Sequence, residues 1–228
     1  MLHDFSDFEK KYSPVDLRDV VFRTQDDLNT IQEIVDGSIG FPMSGINSIV
    51  LYGTYGTGKS ALARIIPDLI EKHKTGEIPL SRYFNIAQGG DNGATVISNI
   101  INQASLIPND AYHYFVLDEI DNLRKEVMGS LKVAINIGRS NSVFVMTTND
   151  LSAIEGGVLD RSILVEFNAA ASNRWLPRVR KILKDYEVTG ATDKELIDII
   201  DSCNGSARKI LLAIRKIIYE YSKKGSKS

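Results

Sequence analysis

The chain has 228 residues, of which 43% are hydrophobic and 25% charged, and its formal net charge is −2. This composition is typical of a soluble globular protein, and the small net charge excludes nucleic-acid binding driven by the charge of the whole chain. The longest apolar runs are far shorter than the roughly 20 residues of a membrane helix, so no membrane partner is expected.

Apolar runs rich in β-formers alternate with helical periodicity through the first three quarters of the chain. The predicted strands are Ser48–Tyr52, Arg82–Ala87, His113–Leu117, Ser142–Thr147 and Ile163–Phe167. The predicted helices between them are Lys59–Lys72, Ala94–Ser105 and Leu123–Ile137. Such alternation predicts an α/β fold with a parallel five-stranded sheet and flanking helices. Pro67 lies inside the first helix and is expected to kink or shorten it.

After Phe167 the strand pattern stops and only helical patterns follow. Helices are predicted over Ser172–Tyr186, Asp193–Cys203 and Ser206–Tyr221. This shift predicts an αβ domain over residues 1–168 and a small all-helical domain over residues 169–222. The basic, Ser- and Gly-rich residues 223–228 are expected to form a disordered tail.

The stretch GTYGTGKS fits the phosphate-loop pattern G-x-x-x-x-G-K-[ST] and lies between a predicted strand and a predicted helix. Its backbone N–H groups and the helix N-terminus would surround phosphate oxygens. Lys59 would reach the β- and γ-phosphates of ATP, and the Ser60 hydroxyl would bind Mg²⁺. The alternative is a chance glycine-rich turn. The expected nucleotide-binding residues here are Gly53, Thr54, Tyr55, Gly56, Thr57, Gly58, Lys59, Ser60 and Ala61.

Two carboxylates follow the apolar strand HYFVL. Ligands of an open parallel sheet bind at the carboxyl ends of its strands, which predicts that Asp118 and Glu119 lie beside the phosphate loop. Asp118 would hold Mg²⁺, partly through water, and Glu119 would orient the attacking water. The alternative is that both acids only begin a loop or cap a helix.

Polar residues also end the next strand, SVFVMTTND. Asn149, with Thr148 as a second choice, could hold the attacking water or the γ-phosphate. The alternative is that Asn-Asp serves only as turn chemistry.

Two arginines are candidates for contact with phosphate. Arg208 lies two residues after Ser206, an expected N-cap, and so in the first helical turn, where an anion is favoured over a cation. The alternative is that Arg208 is only an exposed surface residue. Arg161 follows Asp160 and could form a surface ion pair with it, or could be supplied to a transferring phosphoryl group from outside the site.

These motifs, in this order, resemble those of AAA+ ATPases, and most of all the small subunits of sliding-clamp loaders, over roughly residues 8–218. The resemblance implies that Asp118 and Glu119 are the Walker B acids and that Asn149 is sensor 1. It further implies that Arg208 is sensor 2 in a helical lid and that Arg161 is a finger inserted in trans into a neighbouring subunit's ATP site.

Other segments extend the resemblance with substitutions. Tyr12 and Pro14 match a family segment that lies over the adenine, with Ser13 in place of its arginine. Asp160 and Ser162 stand where the family has serine and cysteine beside the finger. The positions that resemble the family's second strand and following loop are Asn85, Ala87, Asp91 and Gly93.

The resemblance implies a Mg²⁺-dependent ATP hydrolase that works in a homo- or hetero-oligomeric ring, as a clamp-loader-like replication ATPase on primed DNA and a sliding clamp. The alternatives are a helicase loader or protein remodeller, and a non-catalytic module that ATP locks into an assembly. The basic residues that could contact DNA, or could simply be solvated, are Lys125, Lys132 and Arg139.

Assembly and location are also expectations at this point. No collar-like helical region follows the lid pattern, so we expect assembly through the AAA+ faces, DNA or another protein. The N-terminus lacks the order of a secretory signal, and the single Cys203 cannot form an internal disulfide, so we expect a cytoplasmic protein.

Overall fold

The computed structural model describes residues 7–43, 45–86 and 92–225. Their contacts divide the chain into two units. The sheet unit consists of Asp26–Gly53 and Lys59–Phe167. The helical unit consists of the chain up to Gln25, the short segment Thr54–Gly58, and the chain from Asn168 onward.

A parallel five-stranded sheet forms the centre of the sheet unit, in the order β2-β3-β4-β1-β5. Its strands are β1 (Ser48–Tyr52), β2 (Arg82–Ile86), β3 (His113–Asp118), β4 (Ser142–Thr148) and β5 (Ser162–Glu166). Every residue of β3 and β4 is buried, as expected for inner strands covered on both faces. The predicted α/β fold class is therefore confirmed.

The helices that begin between residues 25 and 156 are α2 (Gln25–Val35), α3 (Lys59–Thr75), α4 (Asn92–Ala104), α5 (Lys125–Ile137) and α6 (Gly156–Leu159). The main core of the sheet unit joins one face of the sheet to α4 and α5. Phe115 and Phe144 stack in it with ring centroids 4.9 Å apart, and Leu131 of α5 is fully buried beside them. This packing fixes the carboxyl ends of β3 and β4 side by side.

Helix α3 is not shortened at Pro67, and a kink there stays a prediction. It runs on to Thr75 with Pro67 inside it. Pro67 lies on the buried face with Ile66 and Ile70. A proline in a helix interior costs about 3 kcal/mol, and the burial of this apolar face offsets that cost.

The helical unit contains α1 (Phe8–Lys11), α7 (Ser172–Asp185), α8 (Asp193–Ser202) and α9 (Ala207–Gly225). Its core joins Trp175 and Val179 of α7 to Ile210 and Ile214 of α9. Phe8, near the N-terminus, belongs to the same core and is only 2% exposed. The N-terminal segment, which the sequence grouped with the sheet, thus packs on the C-terminal helices.

The end of the chain differs from the predicted tail. Helix α9 continues to Gly225, so residues 223–225 are helical, and residues 226–228 lie outside the described residues. The Lys223 ammonium lies 4.5 Å from the centroid of the Tyr219 ring, one helical turn earlier. Such (i, i+4) contacts stabilise a helix beyond its apolar stripe.

No helix among the described residues is both long enough and apolar enough to cross a membrane.

Candidate phosphate-binding site

The phosphate loop joins the end of β1 to the start of α3. Within the helical unit, Gly56 has a φ of +76°, and a Cβ built on it would lie 2.6 Å from the Ser206 Oγ. Only glycine satisfies both the left-handed backbone and this close approach. The Thr54 N–H donates to the Asn168 Oδ1 over 3.1 Å, and the Thr57 hydroxyl donates to the Thr54 carbonyl over 3.0 Å. These contacts fix the tip of the loop.

Lys59 is the first residue of α3 and is only 6% exposed. Its Nζ donates to the Gly53 carbonyl over 2.9 Å and to the Asn149 Oδ1 over 2.7 Å. Burial lowers the pKa of Lys59, and the charges of nearby carboxylates, first among them Asp121, oppose that shift. Two neutral oxygens thus hold the ammonium where the loop meets α3. A phosphate oxygen bound by the loop would contact the ammonium there.

Asp118 ends β3 and is 7% exposed. Its Oδ1 accepts a hydrogen bond from the Ser60 hydroxyl over 2.7 Å. It also accepts a short hydrogen bond from the Thr147 hydroxyl of β4. The structure therefore brings Ser60 and Asp118, the two residues predicted to hold a metal ion, into direct contact.

Glu119 follows in a left-handed conformation, with φ 57° and ψ 49°. Its N–H donates to the Thr147 Oγ1 over 3.0 Å, and its carbonyl accepts from the Asn122 N–H over 3.0 Å. The Asn122 side-chain amide donates to the Glu119 Oε2 over 3.3 Å. The backbone at Glu119 is thus fixed at both of its polar groups, and its side chain is exposed.

The two candidates at the end of β4 have different contacts. Asn149 meets Lys59, as described, and so joins the group around the loop. The Thr148 hydroxyl instead donates to the Asp150 carbonyl over 2.9 Å and accepts from the Asp150 N–H over 3.0 Å. Thr148 therefore shapes the turn, and Asn149 is the residue that reaches the loop.

Arg161 is bound within its own sheet unit. Its Nε donates to the Asn136 Oδ1 over 2.6 Å, and its Nη1 donates to the Gly157 carbonyl over 2.6 Å. Within the described residues these bonds, rather than an ion pair with Asp160, hold the guanidinium. Its action on a neighbouring subunit stays a prediction.

In the helical unit, Arg208 is the second residue of α9 and its side chain is exposed. The Ser206 Oγ accepts from the Lys209 N–H over 3.3 Å, which is the contact expected of an N-cap residue. An exposed cation at a helix N-terminus leaves the guanidinium accessible to an anion. Its role as sensor 2 stays a prediction.

Tyr12 is 7% exposed and packs against Phe8 and Tyr186. Its hydroxyl donates to the Asp185 Oδ2 over 3.1 Å, and burial, followed by this carboxylate, raises its pKa. Pro14 is half-buried. The observed contacts of Tyr12 are thus with the helical core, and contact with adenine stays a prediction for both residues.

The segment that resembles the family's second strand is described only in part. Ala87 and Asp91 lie outside the described residues, and nothing is assigned to the Asn85 side chain. Gly93 lies in α4, where a Cβ would come 3.3 Å from a methyl group of Val127. That glycine therefore permits close packing of α4 on α5.

Three contact residues, together with Asp121, whose charge opposes the lowered pKa of Lys59, were not predicted from the sequence. Thr147 and Asn136 each bond a predicted site residue, and Asn168 bonds the loop. The buried Oδ1 of Asp121 accepts no hydrogen bond from the residues that the structure describes. The only signal for Thr147 was a polar residue inside an apolar strand, and the other three required knowledge of tertiary contacts.

The chain is similar in sequence to a protein family and to a curated relative. Residues 49–168 match the family described as the ATPase family associated with various cellular activities (AAA). The replication factor C small subunit of Picrophilus torridus is 24% identical over 211 residues, which is 91% of this chain and 63% of that protein. The chain thus spans less than two thirds of the length of this relative.

Three solved structures are similar in fold. AMPPCP-bound DnaA from Aquifex aeolicus has a TM-score of 0.59 at 17% identity, covering 86% of this chain and 62% of that one. The replication initiator DnaA bound to AMPPCP and single-stranded DNA has a TM-score of 0.62 at 16% identity, covering 89% and 64%. PCH-2 from C. elegans has a TM-score of 0.59 at 12% identity, covering 93% and 73%. At these identities the likeness shows the fold alone.

The family match covers more than half of the chain and contains the phosphate loop, both acids and Asn149. It agrees with the parallel sheet and with the group of side chains at the carboxyl ends of β1, β3 and β4. The chain therefore belongs to the AAA family of ATPases, which confirms the resemblance found in its motifs.

Proposed function

We propose that this protein binds ATP at the loop Gly53–Ser60, hydrolyses it, and works in an oligomer as a clamp-loader-like replication ATPase. The observation that carries the proposal is a pair of direct hydrogen bonds, from Lys59 to Asn149 and from Ser60 to Asp118, which bring two consecutive residues of the loop to the carboxyl ends of β4 and β3. A glycine-rich turn formed by chance would not place an ammonium, a hydroxyl, a carboxylate and an amide together.

In the proposed reaction, the loop N–H groups and Lys59 bind the phosphates and neutralise negative charge that develops on them. The Lys59 ammonium would exchange the Gly53 carbonyl and the Asn149 amide oxygen, its observed partners, for phosphate oxygens. The exposed carboxylate of Glu119 would accept a hydrogen bond from the attacking water and orient it. Asn149, released from Lys59, would contact that water or the γ-phosphate.

The Ser60 and Asp118 oxygens fit the requirements of Mg²⁺, which prefers hard oxygen ligands and retains several waters. No group of three or more His, Cys, Asp or Glu side chains suited to a metal ion occurs among the described residues. Ser60 and Asp118 are the residues that would hold the ion. When bound, Mg²⁺ would neutralise charge on the β- and γ-phosphates.

The proposed role in replication rests on what the relatives are. One is a replication factor C small subunit, and another is a replication initiator bound to single-stranded DNA. The first name supports a role in replication, and the second supports single-stranded DNA as a partner, with Lys125, Lys132 and Arg139 as the residues to test. Lys132 makes a short ion pair with Glu155, so it is the least available of the three to a phosphate.

The direct test is the rate of ATP hydrolysis at several protein concentrations, alone, with primer-template DNA, and with candidate protein partners. We expect stimulation by primed DNA and a rate per subunit that rises with protein concentration. Glu119→Gln should bind ATP with nearly wild-type affinity and hydrolyse it roughly 10²-fold or more slowly, whereas Lys59→Ala should lose ATP binding.

The other outcomes of this experiment identify the alternatives. Stimulation by a helicase or another protein, but not by DNA, would indicate a helicase loader or protein remodeller. Binding of ATP without turnover under any condition would indicate a module that ATP only locks into an assembly. Loss of neither binding nor hydrolysis in Lys59→Ala would contradict the proposed site itself.

A further inference from the structure

The hydroxyl of Thr147 connects the two acidic residues of the proposed ATP site. It accepts a hydrogen bond from the Glu119 N–H over 3.0 Å and donates a short one to the Asp118 Oδ1. Thr147 is 2% exposed and lies on β4, next to β3 in the sheet. One hydroxyl thus donates a hydrogen bond to Asp118 and accepts one from Glu119, and these two residues are adjacent in the site.

The backbone of Glu119 needs such a contact. Its φ of 57° and ψ of 49° place a non-glycine residue in the left-handed region, which is populated only when surrounding contacts enforce it. The Glu119 N–H is also the first amide after β3, so a bond from it to a neighbouring strand decides how the chain turns there. The direction of the Glu119 side chain follows from that turn.

The other bond acts on Asp118. Its Oδ1 receives the Thr147 and Ser60 hydroxyls together, which leaves a fixed orientation for the carboxylate and its Oδ2. Because Thr147 is buried, water cannot replace either of its bonds without opening the sheet.

We infer that Thr147 is a positioning residue for ATP hydrolysis. Its hydroxyl sets how the Asp118 and Glu119 side chains are oriented relative to each other. The inference rests on the proposed ATPase function. Thr147 would not touch ATP, so its removal should alter turnover more than nucleotide binding.

The test uses Thr147→Val, which keeps the shape and loses the hydroxyl, and Thr147→Ser, which keeps the hydroxyl. Ser142→Ala is the matched control, because Ser142 is a buried hydroxyl residue at the opposite end of the same strand, 1% exposed. We expect Thr147→Val to lower kcat roughly 10- to 100-fold with KM for ATP within about threefold of wild type, since small misplacements of catalytic groups have effects of this size. Thr147→Ser and Ser142→Ala should stay within about threefold of wild type.

A second readout does not depend on hydrolysis. Amide hydrogen exchange at Glu119 should be at least roughly tenfold faster in Thr147→Val than in wild type, and close to wild type in Thr147→Ser. Equal protection in all three proteins would overturn the inference, as would wild-type kcat in Thr147→Val. If the wild-type protein does not hydrolyse ATP, the proposed function fails, and the exchange rates alone still decide whether Thr147 holds Glu119.

Discussion

At the residue scale, two separate constraints require glycine at position 56 of the phosphate loop. Its positive φ and the Ser206 Oγ, 2.6 Å from where a Cβ would lie, constrain it independently. A side chain there would have to move the loop tip or the Ser206 side chain, and both belong to the helical unit. Displacement of the loop tip would move the N–H groups that bind phosphate in the proposed site.

We predict that Gly56→Ala weakens ATP binding by roughly tenfold or more, because misplaced N–H groups cannot converge on phosphate. Fluorescent-nucleotide titration measures this. Gly40→Ala is the matched control, since Gly40 has the same φ of +76° and nothing within 4 Å of its added Cβ. It should lower stability by about 1 kcal/mol and leave ATP binding unchanged. Equal affinities for the two variants would contradict the role given to the contact with Ser206.

The loop itself and the acids could be predicted from the sequence because their function depends on local order. A glycine pattern between a strand and a helix, or carboxylates after an apolar strand, occupies consecutive positions. Thr147 could not be assigned in the same way, because its partners lie 28 and 29 residues away and are brought to it only by sheet register. Tyr12 was assigned by resemblance alone, and its burial against Tyr186 depends on a helix that begins 160 residues later.

At the element scale, Glu71 ties helix α3 to strand β3. It is 3% exposed, and its carboxylate accepts the Ala111 N–H over 3.1 Å and the Tyr114 hydroxyl over 2.8 Å. Burial, and then the bond to Glu71, raise the pKa of Tyr114, so the phenol remains a donor. Because α3 begins with Lys59 and β3 ends with Asp118, this distant contact helps to align two elements that supply the site.

We predict that Glu71→Ala lowers the free energy of unfolding by about 2–4 kcal/mol, since it leaves a buried hydroxyl and a buried N–H without their acceptor. Chemical denaturation measures this. Glu77→Ala, an exposed acid just beyond the same helix, should change stability by less than about 0.5 kcal/mol. A similar small effect for both variants would show that Glu71 does not tie α3 to β3.

Other features at this scale were predicted correctly or wrongly for identifiable reasons. The inner strands were predicted to within one residue because burial on both faces requires a continuous apolar run. Two details differ from expectation, because α3 is not shortened at Pro67 and α9 continues to Gly225. Helix propensities are assigned to single residues. The burial of a whole face of α3 and the contact between residues one turn apart in α9 each involve several residues together, so propensity could not predict these two outcomes.

At the scale of the whole molecule, we propose that Arg161 of one subunit completes the ATP site of another. The guanidinium already has a fixed position, because Asn136 and the Gly157 carbonyl hold its Nε and Nη1. A pre-positioned arginine loses less conformational entropy on docking than a free one. An arginine supplied in this way accelerates phosphoryl transfer by about 10³- to 10⁵-fold in related reactions.

The claim is tested most directly by mixing two inactive variants. Arg161→Ala retains its own loop and acids but lacks the finger, and Glu119→Gln retains the finger but lacks the residue that orients water. Each alone should bind ATP and hydrolyse it slowly at any protein concentration. Mixed in equal amounts they should recover a substantial part of the wild-type rate, rising with concentration, because Glu119→Gln supplies Arg161 to the intact site of its neighbour. No recovery in mixtures that co-assemble, or wild-type hydrolysis by Arg161→Ala alone, would contradict the account.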